Sequence, residues 1–255
     1  MKATLLGTGT SSGVPRIACD CAVCLSSDPR NKRLRCSLLV EGSGGNILVD
    51  TTPDLRLQSL RQGLRRVDAV LFTHPHVDHL YGLDELRSFC FGRSAPIPCY
   101  GDEGTLGRIR HVFDYAFKPV YQGMTESVPQ LSLNSIAGPF ELCGCPVEPL
   151  TVHHGRLPIL AYRFGSFAYV TDCNAIPPAS LGRLRGLEVL VLDALRHNNH
   201  PTHFTVAQAL EVVAELRPRR AYLTHIAHDL DHEKTNAALP AGVELAYDGL
   251  SFEVA

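Results

Sequence analysis

Four side chains of the types that bind metal ions stand close together after one apolar segment. The run at 67–72 predicts a buried strand, and a span of six residues then supplies three histidines and one aspartate: His74, His76, Asp78 and His79. Because Pro75 fits neither a helix interior nor a central strand, residues 74–78 are predicted to form a tight loop. Imidazole and carboxylate are ligands that zinc, manganese and iron all accept. Two side chains facing one point and two facing another would hold two metal ions; a solvated, histidine-rich loop is the alternative.

Other acidic and imidazole side chains follow predicted strands in the same way. They are Asp50, His153, His154, Asp172 and His225. The catalytic groups of sheet-based enzymes gather on loops at one edge of the scaffold. We therefore expect these strand ends to converge with the 74–79 segment on a single site.

Three cysteines near the N-terminus form a second group of metal-ligand type. Three thiols fall within six residues, at Cys19, Cys21 and Cys24. This is one ligand fewer than a tetrahedral zinc site needs, and His228 is the natural candidate for the fourth. Free thiols are the alternative, and we interpret the pair Cys143 and Cys145 as ordinary thiols because no other ligand type lies beside it.

A further histidine-rich segment, at 197–205, lies between a predicted strand at 188–193 and a predicted amphipathic helix at 206–216. Thr205 is suited to cap that helix, since its hydroxyl can accept a hydrogen bond from a free backbone N–H of the first turn. A capping loop with surface histidines is the structural interpretation of this segment. His203 acquires a second interpretation from the family resemblance described below.

The composition limits the class of protein. Hydrophobic residues make up 45% and charged residues 20% of the 255 residues, as in an ordinary globular domain. A net charge of −2 argues against binding long nucleic acid by charge alone. Met1 leads directly into an apolar segment and no apolar run approaches the length of a membrane span, so we expect a cytoplasmic protein without signal peptide or membrane contact. In that compartment the nine cysteines are expected to be thiols or metal ligands.

The order of predicted elements favours two packed sheets with helices outside them. Two strands joined by the glycines at 42–45 predict a hairpin, and a helix is predicted at 55–62, ended by Gly63. Further helices are predicted at 80–91 and 103–118, with a short exposed strand at 95–101 and a surface loop at 118–128. The glycine-rich segment at 7–15 is interpreted as a tight turn, because it lacks the lysine of a phosphate-binding loop. We expect residues 1–255 to form one domain.

The segment Thr-His-Pro-His-Val-Asp-His at 73–79 resembles the histidine signature of the metallo-β-lactamase superfamily. The order Asp50, signature, His154, Asp172, His225 is similar to the superfamily's five motifs. The resemblance implies a four-layer αββα sandwich of the α/β class. One metal would be held by His74, His76 and His154, and the other by Asp78, His79 and His225. Asp172 would bridge the two metals, and Asp50, buried outside the ligand set, would orient the loop; Gly155 favours His154 over His153 as the ligand.

The N-terminal cysteine cluster after a Gly-Thr-Gly-Thr-Ser-Ser-Gly-Val-Pro loop resembles the PhnP branch of cyclic phosphodiesterases. That resemblance implies a structural zinc in a loop at about 17–35, bound by Cys19, Cys21, Cys24 and His228. It also implies a catalytic role for His203, which would bind the phosphate and protonate the departing oxygen. Asp78 and Asp50 complete the set of expected catalytic residues. Dimers are common in branches of this kind.

The function implied by the resemblance is that of a hydrolase with two divalent metals, which would be zinc, manganese or iron. Two metals roughly 3.5–4 Å apart can bind a bridging hydroxide and clamp the attacking and leaving oxygens. The expected substrate is a small cyclic or nucleotide-like phosphodiester, such as ribose 1,2-cyclic phosphate. One alternative is a lactone or ester hydrolase of the same fold. Another is a non-catalytic metalloprotein resembling the pyrroloquinoline-quinone biosynthesis B protein.

Overall fold

The computed structural model describes residues 1–118 and 127–254. Most of the surface loop predicted at 118–128 therefore lies outside the described residues. The strands, numbered along the chain, are β1 Lys2–Gly7, β2 Ser37–Gly42, β3 Gly45–Val49, β4 Ala69–Leu71, β5 Ile97–Gly101, β6 Leu131–Ser135, β7 Phe140–Leu142, β8 Cys145–His154, β9 Leu157–Phe164, β10 Phe167–Val170, β11 Val189–Asp193, β12 Arg220–Thr224, β13 Val243–Leu245 and β14 Ser251–Glu253.

The α-helices of the described residues lie between these strands. They are α1 Ala22–Leu25, α2 Leu55–Gln62, α3 Val77–Leu80, α4 Glu103–Val112, α5 Pro178–Arg183, α6 Val206–Leu216 and α7 His232–Ala238. The described residues also contain three short 3₁₀ segments, at Pro29–Asn31, Leu83–Phe89 and Asp114–Phe117.

The strands form two sheets with similar topology. Each contains seven of the described strands, in the orders β14-β1-β2-β3-β4-β5-β6 and β13-β12-β11-β10-β9-β8-β7. In the first sheet the strands from β3 to β6 pair in parallel, and in the second those from β10 to β13 do so. The remaining pairings are antiparallel. Parallel strands need cover on both faces, which explains why β4 and β11 are buried along their whole length.

Three apolar clusters hold the layers together. Between the sheets, aliphatic residues such as Leu38 and Ile47 pack against the aromatic rings of Tyr162 and Phe167, all of them fully buried. The outer face of the first sheet is covered by residues of α2, α4 and the 3₁₀ segment Leu83–Phe89. Residues of α6 cover the outer face of the second sheet. Helix, sheet, sheet and helix form the four-layer αββα sandwich predicted from the sequence.

Elements with clear start and stop signals have the predicted bounds. Helix α2 spans Leu55–Gln62 and ends at Gly63, whose φ of 61° is left-handed. Helix α6 begins after Thr205, whose hydroxyl accepts from the backbone N–H of Gln208 while the Gln208 side chain accepts from the N–H of Thr205. The predicted hairpin is present as β2 and β3. In each case the chain's own end signals determine the boundary.

Three predicted elements were wrong in extent or environment. The helix predicted at 80–91 is split into α3 and the 3₁₀ segment, because at Gly82 the chain approaches the Thr52 carbonyl so closely that a Cβ atom would lie 1.8 Å from it. The helix predicted at 103–118 ends at Val112 and is followed by a 3₁₀ segment. The strand predicted to be exposed at 95–101 is β5, which pairs with strands on both sides and buries Ile97 and Cys99.

A buried polar network fastens the N-terminal loop to the segment between β13 and β14. The Arg33 guanidinium, 2% exposed, donates to the Thr8 hydroxyl and to the Ala246 carbonyl. Asp248 accepts hydrogen bonds from the backbone N–H groups of Thr8 and Leu34. These contacts hold residues 8–34 against the C-terminal strands. Among the residues described, no helix is both long enough and apolar enough to cross a membrane.

Candidate metal centre

Asp50 organises the loop that follows β4. Its carboxylate, fully buried just after β3, accepts hydrogen bonds from the backbone N–H and the hydroxyl of Thr73, both at 2.8 Å. The Nδ1 of His79 lies 2.7 Å from the same carboxylate and donates to it. With its Nδ1 bound in this way, His79 presents Nε2 to the interior of the site. One buried carboxylate thus fixes the start of the loop and the direction of its last histidine.

Asp172, at the end of β10, lies at the centre of the predicted ligands. Its Oδ1 is 3.1 Å from Nε2 of His225, and its Oδ2 is 3.2 Å from Nε2 of His79 and 3.7 Å from Nε2 of His74. A carboxylate that faces three imidazole nitrogens from both oxygens is suited to bridge two cations. Asp172 therefore lies between the predicted ligands of both metals, and its bridging role stays a prediction.

Three imidazole rings form one side of the cluster. The ring centroids of His74 and His76 are 4.6 Å apart, and that of His154 lies 5.0 Å from His76 and 5.6 Å from His74. The Nδ1 of His154 donates to the Asp172 carbonyl at 2.7 Å, which turns its Nε2 towards the other rings. His76 is exposed, so this side of the cluster faces the solvent. His154, and not His153, is the member of the adjacent pair in this ring cluster.

The other side of the cluster combines two carboxylates and two imidazoles. The Oδ2 of Asp78 lies 3.4 Å from Nε2 of His79 and 3.9 Å from Nε2 of His225. Together with Asp172, these groups offer ligand atoms that all lie within 4.8 Å of one another. All seven predicted ligands are thus brought together from four separate strand ends.

His203 lies beside this cluster and is held by an aspartate. Its ring stacks on that of His225, with centroids 4.6 Å apart, and lies 4.8 Å from that of His154. The Nδ1 of His203 is 3.3 Å from Oδ1 of Asp193, and the other oxygen of Asp193 accepts from the backbone N–H of Phe204. Burial, and then the neighbouring His225, lower the pKa of His203 to about 4.

Asp193 is the site residue that the sequence reasoning missed. It is fully buried at the end of β11, with Oδ1 3.5 Å from Nδ1 of His225 as well as 3.3 Å from Nδ1 of His203. The signal was present in the sequence, because Asp193 ends an apolar strand just as Asp50 and Asp172 follow theirs. Only the fold shows that this strand end also reaches the site.

The predicted cysteine cluster is also assembled. The thiols of Cys19 and Cys21 lie 3.4 and 3.3 Å from Nδ1 of His228, and Cys24 lies within the same group of four ligand atoms. The hydrogen bond to His228 is the main cause that lowers the pKa of Cys21 to about 6. A thiol that is easily deprotonated is a better metal ligand, since thiolate is the form that binds zinc.

Comparisons with known proteins identify the family of the chain. A family model described as "Beta-lactamase superfamily domain" matches residues 45–226, which include all seven predicted active-site ligands. The chain belongs to the β-lactamase superfamily. A crystal structure described as a new diphosphatase from the PhnP family is 46% identical, with a TM-score of 0.93 over 100% of this chain and 98% of that one. The protein is therefore a PhnP-like member of the superfamily.

Two other relatives of this PhnP-like protein differ in name. A protein of Porphyromonas gingivalis (strain ATCC BAA-308 / W83) named octanoyltransferase is 39% identical over 98% of this chain. The match covers 51% of that protein, so the chain spans about half the length of this relative. Zinc-bound PqqB from Methylobacterium extorquens is 21% identical, with a TM-score of 0.73 over the full length of both chains, and shares the fold. Together the comparisons show the metallo-β-lactamase fold, which implies divalent metals.

The donor groups of the PhnP-like protein suit divalent cations. The buried Nε2 atoms of His74 and His225 have no hydrogen-bond partner in the described residues. Burial lowers the pKa of His74 well below its usual range, which keeps its ring in the neutral form that binds a metal. Burial alone would raise the pKa of Asp172, but the rings of His225 and His79 hold it well below its usual range. Unpartnered nitrogens around ionised carboxylates fit a metal centre.

Several residues of the site have a strained backbone conformation. Six non-glycine residues of the described chain have a positive φ, and three of them belong to the cluster: Asp50 at 63°, Asp172 at 57° and His225 at 59°. The left-handed conformation costs an L-residue about 1–2 kcal/mol. Each of the three follows a strand, where the turn aims its side chain into the site. Such strain persists where the surrounding structure fixes it, as at functional sites.

The cysteine cluster is predicted to hold a structural zinc, and loss of that ion is expected to loosen the N-terminal loop. Cys21→Ser should lose about one zinc ion per chain, since a structural zinc site of this type uses all four ligands. Faster amide hydrogen exchange should follow at residues 8–35, because the cluster ties them to His228 and the Arg33 network ties them to Ala246 and Asp248. Zinc content and hydrogen exchange measure the two effects. Cys143→Ser, which alters a half-buried thiol outside the cluster, is the control; equal zinc content in both variants would contradict the assignment.

Proposed function

We propose that this PhnP-like protein hydrolyses phosphodiester bonds in small cyclic or nucleotide-like substrates, with ribose 1,2-cyclic phosphate as the representative. The observation that carries the proposal is the position of His203. Its ring contacts those of His154 and His225 at the edge of the ligand cluster, while Asp193 holds its Nδ1. A metal site with one additional imidazole beside it has the parts needed to cleave a bond to phosphorus and to protonate the oxygen that departs.

The proposal includes two cations at the active site. His74, His76 and His154 would hold one, Asp78, His79 and His225 the other, and Asp172 both; zinc, manganese and iron all accept these ligands. When bound, such cations lower the pKa of an attacking water and neutralise charge on the phosphoryl oxygens. The cysteine cluster, at Cys19, Cys21, Cys24 and His228, would hold a structural ion away from the reaction.

The chain's own contribution to the reaction centres on His203. Because Asp193 occupies Nδ1, the Nε2 atom is left to face the substrate. An anionic phosphate beside the ring favours its protonated form and offsets the burial that lowers its pKa to about 4 in the free protein. As water forms the new bond to phosphorus and the old P–O bond breaks, His203 gives its proton to the departing oxygen. The proton lost by the water restores the ring or passes to solvent.

A second candidate is the hydrolysis of a diphosphate bond. It is favoured by the 46% identical PhnP-family structure, which is described as a diphosphatase. Both reactions break a P–O bond in a small anionic substrate and differ in the group that leaves. A sugar alkoxide needs a proton far more than a phosphate does, so the dependence on His203 separates the two.

A substrate panel tests the proposal. The protein is loaded with zinc or manganese and assayed on bis(p-nitrophenyl) phosphate, ribose 1,2-cyclic phosphate, a nucleoside diphosphate derivative and a lactone, with a chelated sample as the control. We expect metal-dependent turnover of the two phosphodiesters. Turnover confined to the diphosphate would establish the second candidate. Lactone opening without phosphodiester cleavage would overturn both, and the absence of any turnover would favour a non-catalytic metalloprotein.

A further inference from the structure

One amide side chain links three of the loops that form the site. Asn174 lies two residues after Asp172, and its Oδ1 accepts from the backbone N–H of Gly155 at 2.8 Å. Its Nδ2 donates to the Pro201 carbonyl at 3.0 Å. Gly155 follows the predicted ligand His154, and Pro201 belongs to the segment that carries His203. The side chain therefore joins the loop after β10 to the turn after β8 and to the loop before α6.

The backbone fixes Asn174 in place. Its N–H donates to the His153 carbonyl at 2.9 Å, and the His153 N–H donates to the Ala175 carbonyl at the same distance. The two joined loops approach each other closely, because a Cβ atom on Gly155 would lie 2.9 Å from Cγ2 of Thr202. Gly155 also has a φ of 63°, which glycine adopts without strain. The Asn174 amide is thus held between two loops whose separation is fixed by the close packing of Gly155 against Thr202.

The His203 loop is anchored firmly at its end and weakly in its middle. At the end, the Phe204 N–H donates to the Cys173 carbonyl and to Asp193. In the middle, the Arg196 guanidinium donates to the carbonyls of Asn198 and Asn199, within the loop itself. Across residues 1–118 and 127–254, the bond from Asn174 to Pro201 is the one hydrogen bond that ties residues 197–202 to the other loops of the site.

We propose that Asn174 is a positioning residue that holds the His203 loop at a fixed distance from the metal-binding turn at His154. This inference rests on the proposed function, in which His203 protonates the departing oxygen. An asparagine amide can donate and accept at once, which both contacts require. Without the bond to Pro201, the loop can move His203 away from that oxygen. Misplacing a catalytic group by about 1 Å can cost on the order of 10²-fold in rate.

Two substitutions separate the two bonds. Asn174→Asp keeps the oxygen that accepts from the Gly155 N–H. It replaces the amide nitrogen with a second oxygen, which cannot donate to the Pro201 carbonyl and is repelled by it, so only the bond to Pro201 is lost. Asn174→Ala removes both. Asn198→Asp is the matched control, because it adds the same charge to an exposed side chain of the His203 loop without touching the bridge.

The role of Asn174 is tested by comparing turnover of a substrate with a good leaving group and one with a poor leaving group. p-Nitrophenolate departs without a proton, whereas a sugar alkoxide requires one. We expect Asn174→Asp to lower kcat on ribose 1,2-cyclic phosphate by about 10–100-fold while KM stays nearly constant. Turnover of bis(p-nitrophenyl) phosphate, metal content and Tm should stay close to wild type. In a His203→Ala background, Asn174→Asp should have no further effect on either substrate.

The outcomes distinguish this inference from the proposed function. If the wild-type protein turns over both phosphodiesters and Asn174→Asp slows them equally or not at all, the positioning role is wrong and the function stands. If the wild-type protein cleaves no phosphodiester, the proposed function fails. The inference is then tested by NMR of the His203 ring, assigned with His203→Ala. Its resonances should shift in Asn174→Asp and not in Asn198→Asp; an unchanged ring overturns the positioning role.

Discussion

Replacing His203 with alanine is expected to lower kcat on ribose 1,2-cyclic phosphate by about 10²–10⁴-fold. The ring is 8% exposed, stacked on His225 and held by Asp193, so it is placed for the reaction and not for metal binding alone. Because the seven predicted ligands remain, the metal content should not change. Steady-state kinetics and metal analysis of the purified variant measure the two quantities.

His197→Ala is the matched control for this prediction, since His197 is an exposed histidine of the same loop. Its kcat should stay close to that of the wild-type protein. A His203→Ala variant that keeps its kcat on a sugar phosphodiester would contradict the role of general acid. A variant that loses metal together with activity would instead make His203 a ligand, which its proximity to His154 and Asp172 allows geometrically.

Replacing Asp172 with alanine is expected to have the largest effect on the metal centre. Its two oxygens face His225, His79 and His74 at 3.1–3.7 Å, so the substitution removes the one carboxylate that reaches both sides of the cluster. A metal-ligand interaction of several kcal/mol at the reacting group corresponds to a loss of at least about 10³-fold in turnover. Metal bound at this centre should fall from two ions to one or none.

Metal analysis and the phosphodiester assay together check this expectation. Asp229→Asn, which alters an exposed aspartate shortly after His225, serves as the control and should keep both metal and activity. Two ions retained at the centre of the Asp172→Ala protein would show that Asp172 does not bridge them. Zinc bound at the cysteine cluster, as predicted, should be unaffected by this substitution and would serve as an internal reference.

Local signals in the sequence predicted much of the fold. Helices α2 and α6 have the predicted bounds because Gly63 and Thr205 are end signals that neighbouring residues do not override. The two-sheet architecture followed from the order of strands and helices. In contrast, the helix predicted after His79 was broken by the contact between Gly82 and Thr52, which are distant in sequence. The burial of β5 likewise depends on strands that pair with it from both sides.

Some residues of the candidate site could likewise be predicted from the sequence, and others could not. The predicted ligands were recognisable because each follows a strand and belongs to a motif, and the structure brings all of them together. Asp193 ends a strand but belongs to none of the quoted motifs, so its contact with His203 emerged only from the fold. Asn174 carries no signal at all in the sequence, because its partners Gly155 and Pro201 are joined to it by tertiary structure.

The most direct test of the account is anomalous X-ray diffraction from crystals of the protein grown with zinc or manganese. The account predicts two peaks in the active site. One lies among His74, His76 and His154, the other among Asp78, His79 and His225, and Asp172 contacts both. A single peak there, no peak, or a peak held instead by Asp193, His203 and His225 would contradict it.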